Sequence, residues 1–231
     1  MEYRQLTRAL ISLLIIGCIV AMVSAYAAAA SFTHDVRYSG LNIIGLTVDT
    51  AEINSKALAD TNNTFDILGR GLVMLSAESI SGERQGWIVG GFTSAGKMIG
   101  RNHRAELNVS IAGVSIEKLI HSQGCLTFSA GALAGLGVTR LNLLVLSGDV
   151  QSWDEARQVG HNNTLNSSFW FFQPFAGARL HVTDYIAIEA KLGLAMSMSD
   201  GQWQQGNTKV GNANYSVNGL SLTAGVKAGI F

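Results

Sequence analysis

The polar and apolar positions of the chain alternate. In Arg104–Ile111 the side chains of Arg104, Glu106, Asn108 and Ser110 interleave with Ala105, Leu107, Val109 and Ile111. An extended strand sorts such a period of two onto opposite faces. Tyr185–Met198 repeats the arrangement, with Ile186, Ile188, Ala190, Leu192, Leu194 and Met196 against Ala187, Glu189, Lys191, Gly193 and Ala195. Ser216–Ile230 sets Leu220, Leu222, Ala224, Val226, Ala228 and Ile230 against Ser221, Thr223, Gly225, Lys227 and Gly229. A soluble sheet and a membrane barrel share this period: the first turns its apolar face to a core, the second to lipid.

Three features separate the two. Phe169–Leu180, Ile186–Met198 and Ser216–Ile230 exceed the roughly 5–6 residues of a soluble strand and reach the roughly 9–11 that a tilted membrane strand needs. Their polar faces carry Gly, Ala and Ser with sparse Arg, Glu and Lys, which suits a narrow lumen better than a face in water. Short connections at Ser81–Glu83, Gly137–Thr139 and Val182–Asp184 alternate with long polar ones at Asp49–Asp66, Ser94–Asn102, Asp149–Ser167 and Ser199–Tyr215. Bacterial membrane barrels have short periplasmic turns and longer external loops. The expected fold is all-β: a transmembrane antiparallel up-and-down β-barrel.

Strand direction gives the count. With both termini periplasmic, Val36–Val48, Leu68–Ser79, Arg84–Thr93 and His103–Ile111 run out, in, out and in. Counting back from Ser216–Ile230 through Tyr185–Met198, Phe169–Leu180 and Arg140–Gly148 makes Cys125–Leu136 inward as well. One outward strand is missing. Val114–Ile120, where the apolar phase flips across Ala112-Gly113, supplies it and makes ten. If His103–Ile111 instead runs on, the count is eight; both numbers are even, as barrels require.

The amino terminus reads as an export leader over residues 1–30: Arg4 and Arg8, then ALISLLIIGCIVAMV, then the small residues of AYAAAASF. Cleavage leaves a barrel over residues 31–231, about 200 residues. The alternatives are an uncleaved inner-membrane anchor, since the uncharged run Ala9–Ala30 is long enough to span, and a lipoprotein box ending at Cys18. Beyond the leader Cys125 stands alone, which excludes an internal disulfide and suggests a buried small side chain. The 16 basic and 16 acidic residues cancel and form no basic stripe, so no nucleic-acid partner is expected.

The leader ending AYAAAA, the terminal Phe231 and the hairpin PFAGARLHVTDYIAIEAKLGL, Pro174 to Leu194, together resemble small Gram-negative outer-membrane β-barrel proteins. That resemblance implies residence in the bacterial outer membrane and contact with outer-membrane lipid and lipopolysaccharide. It also implies recognition of Phe231 by the barrel-assembly machinery. The residues in phase with Phe231 are Gly229, Lys227, Gly225 and Thr223, so the apolar set stands one position out of register with the chain end.

Catalytic chemistry is weakly represented. Of His34, His103, His121, His161 and His181, His161 has the best setting, in a predicted external loop with Asp154 and Glu155, yet no triad spacing accompanies it. His181 precedes Asp184 at a turn, where a local hydrogen bond accounts for it. HExxH, CxxC and EF-hand patterns are missing, and Asp149, Asp154 and Glu155 offer at most weak attraction for a divalent ion. Neither enzymatic activity nor a cofactor or resident metal is expected.

The candidate lumen charges are Arg70, Glu78, Arg104, Glu106, Arg179, Glu189, Lys191 and Lys227. Buried charges must pair, so they form either a closed ladder or the lining of a narrow pore. Arg179 and Glu189 are expected diagonal to each other across their hairpin. Trp153, Trp170, Tyr185, Trp203 and Tyr215 suit an interfacial aromatic belt, with Trp87 nearer mid-strand. The functional expectation is a structural or surface-interaction role through the loops Asp149–Ser167 and Ser199–Tyr215, with an external ligand the sequence does not name. The alternative is a narrow, porin-like passive channel. A soluble or tethered barrel for an apolar ligand is disfavoured by the strand lengths.

Overall fold

Along one strand, Ala105–Gln123, the odd-numbered residues point inward as far as a bulge after Leu119, but their chemistry changes: Leu107, Val109 and Ile111 come first, then Ser115 and Glu117. The outward set changes in the opposite sense, from Glu106, Asn108 and Ser110 to Val114, Ile116 and Ile120. This inversion organises the molecule. The computed structural model describes residues 36–58, 66–83, 86–146, 160–199, 202–205, 208–212 and 215–231. The leader and the loop segment holding Asp149, Trp153, Asp154 and Glu155 lie outside the described residues, as does His34.

Eight long strands close the barrel: β1 (Val36–Thr47), β2 (Gly71–Gly82), β3 (Trp87–Ile99), β4 (Ala105–Gln123), β5 (Leu126–Leu146), β6 (Gly160–His181), β7 (Ile186–Ser199) and, after two short strands β8 (Gln202–Gln205) and β9 (Thr208–Asn212), β10 (Gly219–Ile230). Each pairs antiparallel with its neighbour in sequence; β7 pairs with β10, and β10 pairs with β1 to complete the circle. Hairpin β8–β9 attaches outside this circle, to the upper part of β6 through Asn166 and Gln204. The count is therefore eight, the smaller of the two expected. Two segments read as pairs of strands are each one strand: β4 runs through Ala112-Gly113, and β5 runs through Gly137–Thr139, which is no turn. What flips at Ala112-Gly113 is the chemistry of the two faces. The backbone phase does not change.

The barrel has two unlike ends. At the turn end lie Val36, Phe231, Glu83, Gly86, the pair Gly124-Cys125 and residues 182–185. Gly124 takes a φ of 58°, the left-handed conformation that a two-residue hairpin between Gln123 and Leu126 requires. In the next turn the Thr183 hydroxyl accepts hydrogen bonds from the amides of Tyr185 and Ile186 at 3.2 and 3.0 Å. Cys125 is exposed at its turn, where a buried side chain was expected. The loop end holds a short helical segment, Ile53–Ala57, and a tight connection at residues 100–104. Ser94–Ile99, expected in a loop, belongs to β3, and His161, likewise expected in a loop, lies in β6 opposite Val145.

An apolar belt surrounds the barrel. Leu41, Ile43, Leu75, Val114, Leu136, Phe172, Leu192, Leu222 and Ile230 all face out. Trp87, Trp170 and Tyr185 are exposed on the same surface, with the Lys118 ammonium 5.6 Å from the Trp87 ring. Trp203 and Tyr215, expected in the belt, are buried inside instead. The apolar set of β10 lies on the outer face, while Lys227 and Thr223 point inward and Phe231 stacks on Tyr38 with ring centroids 5.4 Å apart. The mismatch of phase at the carboxy terminus thus places the last side chain in the barrel mouth. Among the described residues no helix is long and apolar enough to cross a membrane.

Candidate functional site

The lower lumen, nearer the turn end, contains a layer of charges brought together from five strands. Glu78 comes from β2, Glu117 from β4, Arg179 from β6, Glu189 and Lys191 from β7, and Lys227 from β10. Three carboxylates meet three cations. Arg179 Nη2 lies 2.6 Å from Glu189 Oε1 and 2.8 Å from Glu117 Oε1. Lys191 Nζ sits 3.2 Å from Glu78, 3.3 Å from Glu117 and 3.1 Å from Glu189. Lys227 Nζ is 2.6 Å from Glu78 and 3.1 Å from Glu189. Ser115 Oγ donates to Glu78 Oε1 at 2.7 Å, and Arg179 Nη2 donates to the Tyr38 hydroxyl.

The local sequence explains how these long side chains fit. Gly40 on β1 stands between Glu78 and Lys227 in register, and a Cβ there would strike the Lys227 stem and the Val226 carbonyl. The missing side chain is the space the lysine occupies. Arg179 lies over the Tyr38 ring at 4.1 Å, and Lys191 Nζ is 4.5 Å from the Phe175 ring centroid, so aromatic faces take the cations' remaining sides. Arg179 and Glu189 are directly opposite across β6 and β7, not diagonal, which brings them into the shortest pairing in that hairpin.

Of the eight charges expected in the lumen, Glu78, Arg179, Glu189, Lys191 and Lys227 are there, none more than 5% exposed. Arg70 is exposed before β2, Arg104 is exposed in the connection to β4, and Glu106 faces outward, 2.5 Å from Lys97. The alternation containing Arg104 and Glu106 was assigned to the wrong face because, at that height, the polar side is the outer one. Glu117 and Tyr38 complete the cluster and were not anticipated. Glu117 lies in the segment that the sequence pattern sets in the opposite phase, yet its odd number in β4 aligns it with Ser115.

Above the charge layer the lumen is filled by apolar side chains. Phe92, Met74, Leu107, Val109, Leu133, Leu141, Phe169 and Phe171 pack together, and Ile53, Leu58, Trp203, Tyr215 and Val217 cover them from the loop end. Asp66 fastens this cover. Its carboxylate accepts four backbone N–H bonds, from Ile67, Asn102, Arg104 and Ala105, at 2.7–2.8 Å. Burial pushes that carboxyl up, but the four amides outweigh it and hold it below its ordinary value.

At the turn end a cavity of about 930 Å³ opens among His121, Thr127, Arg179, His181, Tyr185 and Phe231. Its floor is Arg179 of the charge layer. The His181 ring bonds Thr127 Oγ1 at 2.9 Å, and Thr127 in turn lies 3.1 Å from Ser122 Oγ. His103 is exposed in the connection before β4. Among the described residues no group of His, Cys, Asp and Glu could hold a metal ion.

The outer surface also has two zones. Strands β4, β5 and β6 contain 19, 21 and 22 residues, against 12 in β1, β2 and β10. Their upper parts form a wall that stands above the apolar belt with polar side chains outward: Glu106 bonded by Asn108 at 2.8 Å, Asn142 bonded by Thr164 at 3.0 Å, and Arg140 bonded to Asn166 at 3.2 Å. Hairpin β8–β9 widens that wall.

No protein-family model matches the chain, and no curated protein matches it. A solved structure with a similar arrangement is that of Neisserial surface protein A, at a TM-score of 0.48 and 11% identity, over 83% of this chain and 96% of that one.

Proposed function

We propose that this protein is a closed barrel of the bacterial outer membrane that displays the β4–β6 wall and the β8–β9 hairpin for surface interaction. The observation that carries this reading is a lumen obstructed twice. The lower charge layer is closed by mutual pairing, with Glu117 and Lys227 at 0% exposure, and the upper lumen is packed with aromatic and aliphatic side chains. A pore for small solutes needs a continuous polar path, and this arrangement argues against one. The outward apolar belt with Trp87, Trp170 and Tyr185 supports membrane residence.

The test is planar-bilayer conductance of the refolded protein, with heat-modifiable gel mobility as the check on folding. The expected result is a folded, inserted barrel with no steady conductance. Steady conductance whose ion selectivity changes in Arg179→Ala or Glu189→Ala would replace this reading with a porin-like channel lined by the charge layer.

A further inference from the structure

The strand register sets six outward polar residues in one row across the foot of the external wall, climbing toward the loop end from β3 to β9 because the strands tilt. Lys97 on β3 pairs with Asn108 on β4, Asn108 with Arg140 on β5, and Arg140 with Asn166 on β6. Asn166 pairs with Gln204 on β8, and Gln204 with Lys209 on β9. Cations thus occupy both ends and one interior position, with carboxamides between them. Neighbouring strands lie about 4.8 Å apart, so Lys97 and Arg140 are about 10 Å apart at the backbone and Arg140 and Lys209 about 14 Å. A row of that length can meet more than one phosphate.

Its height identifies the phosphate source. Two outward positions below Arg140 is Leu136, 56% exposed, and Leu136 pairs with Trp170, 65% exposed. Arg140 and Asn166 therefore lie on the upper border of the apolar belt, where lipid tails end and headgroups begin, and Lys209 stands higher on the climbing row. The side chains are also available for a ligand. Arg140 uses its Nε on Asn166, which leaves the paired terminal NH2 groups that fit phosphate oxygens. Lys209 is exposed. Lys97 is shared with Glu106, one row higher, at 2.5 Å, so Arg140 and Lys209 carry most of the attraction.

We propose that this row binds the phosphate groups of anionic outer-leaflet lipid and sets the depth at which the barrel sits. The inference rests on the reading of a membrane-embedded barrel with an external wall, and its test distinguishes the two. Trp170 is the reporter, in a Trp87→Phe, Trp153→Phe, Trp203→Phe background. The protein is refolded into phosphatidylcholine nanodiscs at 150 mM NaCl, a chosen condition near physiological ionic strength. A minor share of the lipid is brominated, as either phosphatidylcholine or phosphatidic acid.

The expected result is quenching of Trp170 about three-fold stronger per mole by the anionic lipid, within the roughly five-fold preference that one surface cation gives. Arg140→Gln with Lys209→Gln brings the ratio close to one, while Lys118→Gln, at the turn end, leaves it unchanged. Heat-modifiable mobility verifies that each variant is folded. Equal quenching by both lipids in the unsubstituted row would overturn the proposal while leaving the barrel embedded. Quenching by neither would overturn the embedded reading itself. Loss of the preference on adding millimolar inorganic phosphate would show a site for free anions and overturn the assignment to lipid.

Discussion

Glu189→Gln is the sharpest probe of the lumen. The change keeps the side-chain volume and removes one negative charge, so cavity formation contributes little. Glu189 touches all three cations: Arg179 at 2.6 Å, and Lys191 and Lys227 at 3.1 Å each. None is left wholly without a carboxylate, because Arg179 keeps Glu117, Lys191 keeps Glu78 and Glu117, and Lys227 keeps Glu78. The layer does pass from balance to one uncompensated positive charge among buried side chains. Removing one partner from a buried ion network costs about 3–5 kcal/mol, and the surviving contacts put this case at the lower end, about 3 kcal/mol. The assay is reversible urea unfolding of the barrel in short-chain phosphatidylcholine vesicles, followed by tryptophan fluorescence. A second substitution, Lys191→Met, restores the balance, and Glu189→Gln with Lys191→Met is expected to recover at least about 1 kcal/mol relative to Glu189→Gln alone. A cost under about 1 kcal/mol, or no recovery in the double variant, would refute the dry, mutually paired layer and mean that water reaches it.

Two further outcomes concern the ends of the barrel. Asp66→Asn removes charge from an acceptor of four amide bonds and is expected to cost the rim about 1–3 kcal/mol, read as faster amide exchange at Asn102, Arg104 and Ala105. Because the folded carboxyl is held below its ordinary value, the stitch contributes fully above that ordinary value and is lost as pH falls through the lower folded one; an unchanged acid response in Asp66→Asn would refute it. At the opposite end Cys125 is exposed in its turn, so on intact cells it resists a membrane-impermeant maleimide until the outer membrane is permeabilised, whereas Asn142→Cys on the wall reacts at once. The reverse pattern would invert the orientation.

The antiparallel-barrel architecture and the carboxy-terminal hairpin were legible because β7 and β10 lie almost wholly within the belt. There, one solvent acts on each face from end to end, so Leu192, Leu222 and Val226 identify the outside and Glu189, Lys191 and Lys227 the inside. β4 was misread for the opposite reason. It passes through two environments, so the same outward row reads Glu106, Asn108, Ser110 and then Val114, Ile116. Period alone locates two faces without saying which solvent each meets at a given height. Glu117 was overlooked because its neighbour Lys118 masks the alternation; Lys118 faces out and lies over Trp87, a placement that depends on the adjacent strand. Trp203 and Tyr215 were assigned to the surface by their nearness to strand ends, but the cover they form over the lumen depends on loops whose folding no local pattern encodes.

The inversion also accounts for the unequal strand lengths. On β5 the outward apolar positions extend from Leu126 to Val138, and the next outward residues are Arg140 and Asn142. At about 3.4 Å per residue and a tilt near 40°, the first section rises about 30 Å, close to the hydrocarbon thickness, and the remainder to Leu146 rises about 20 Å more. That upper section is in water on its outer side, so its inner side must supply a hydrophobic core, as in a soluble protein. Leu141, Leu165, Trp203 and Tyr215 supply it. Below the border, on the proposed membrane reading, lipid satisfies the apolar face, and the narrow interior can hold charges provided that they pair. Each half thus uses the polarity that the other could not tolerate. Moving the barrel by even one outward row would place Arg140 among lipid tails or Val138 in water, so depth is specified where the two chemistries meet, between Val138 and Arg140 on β5.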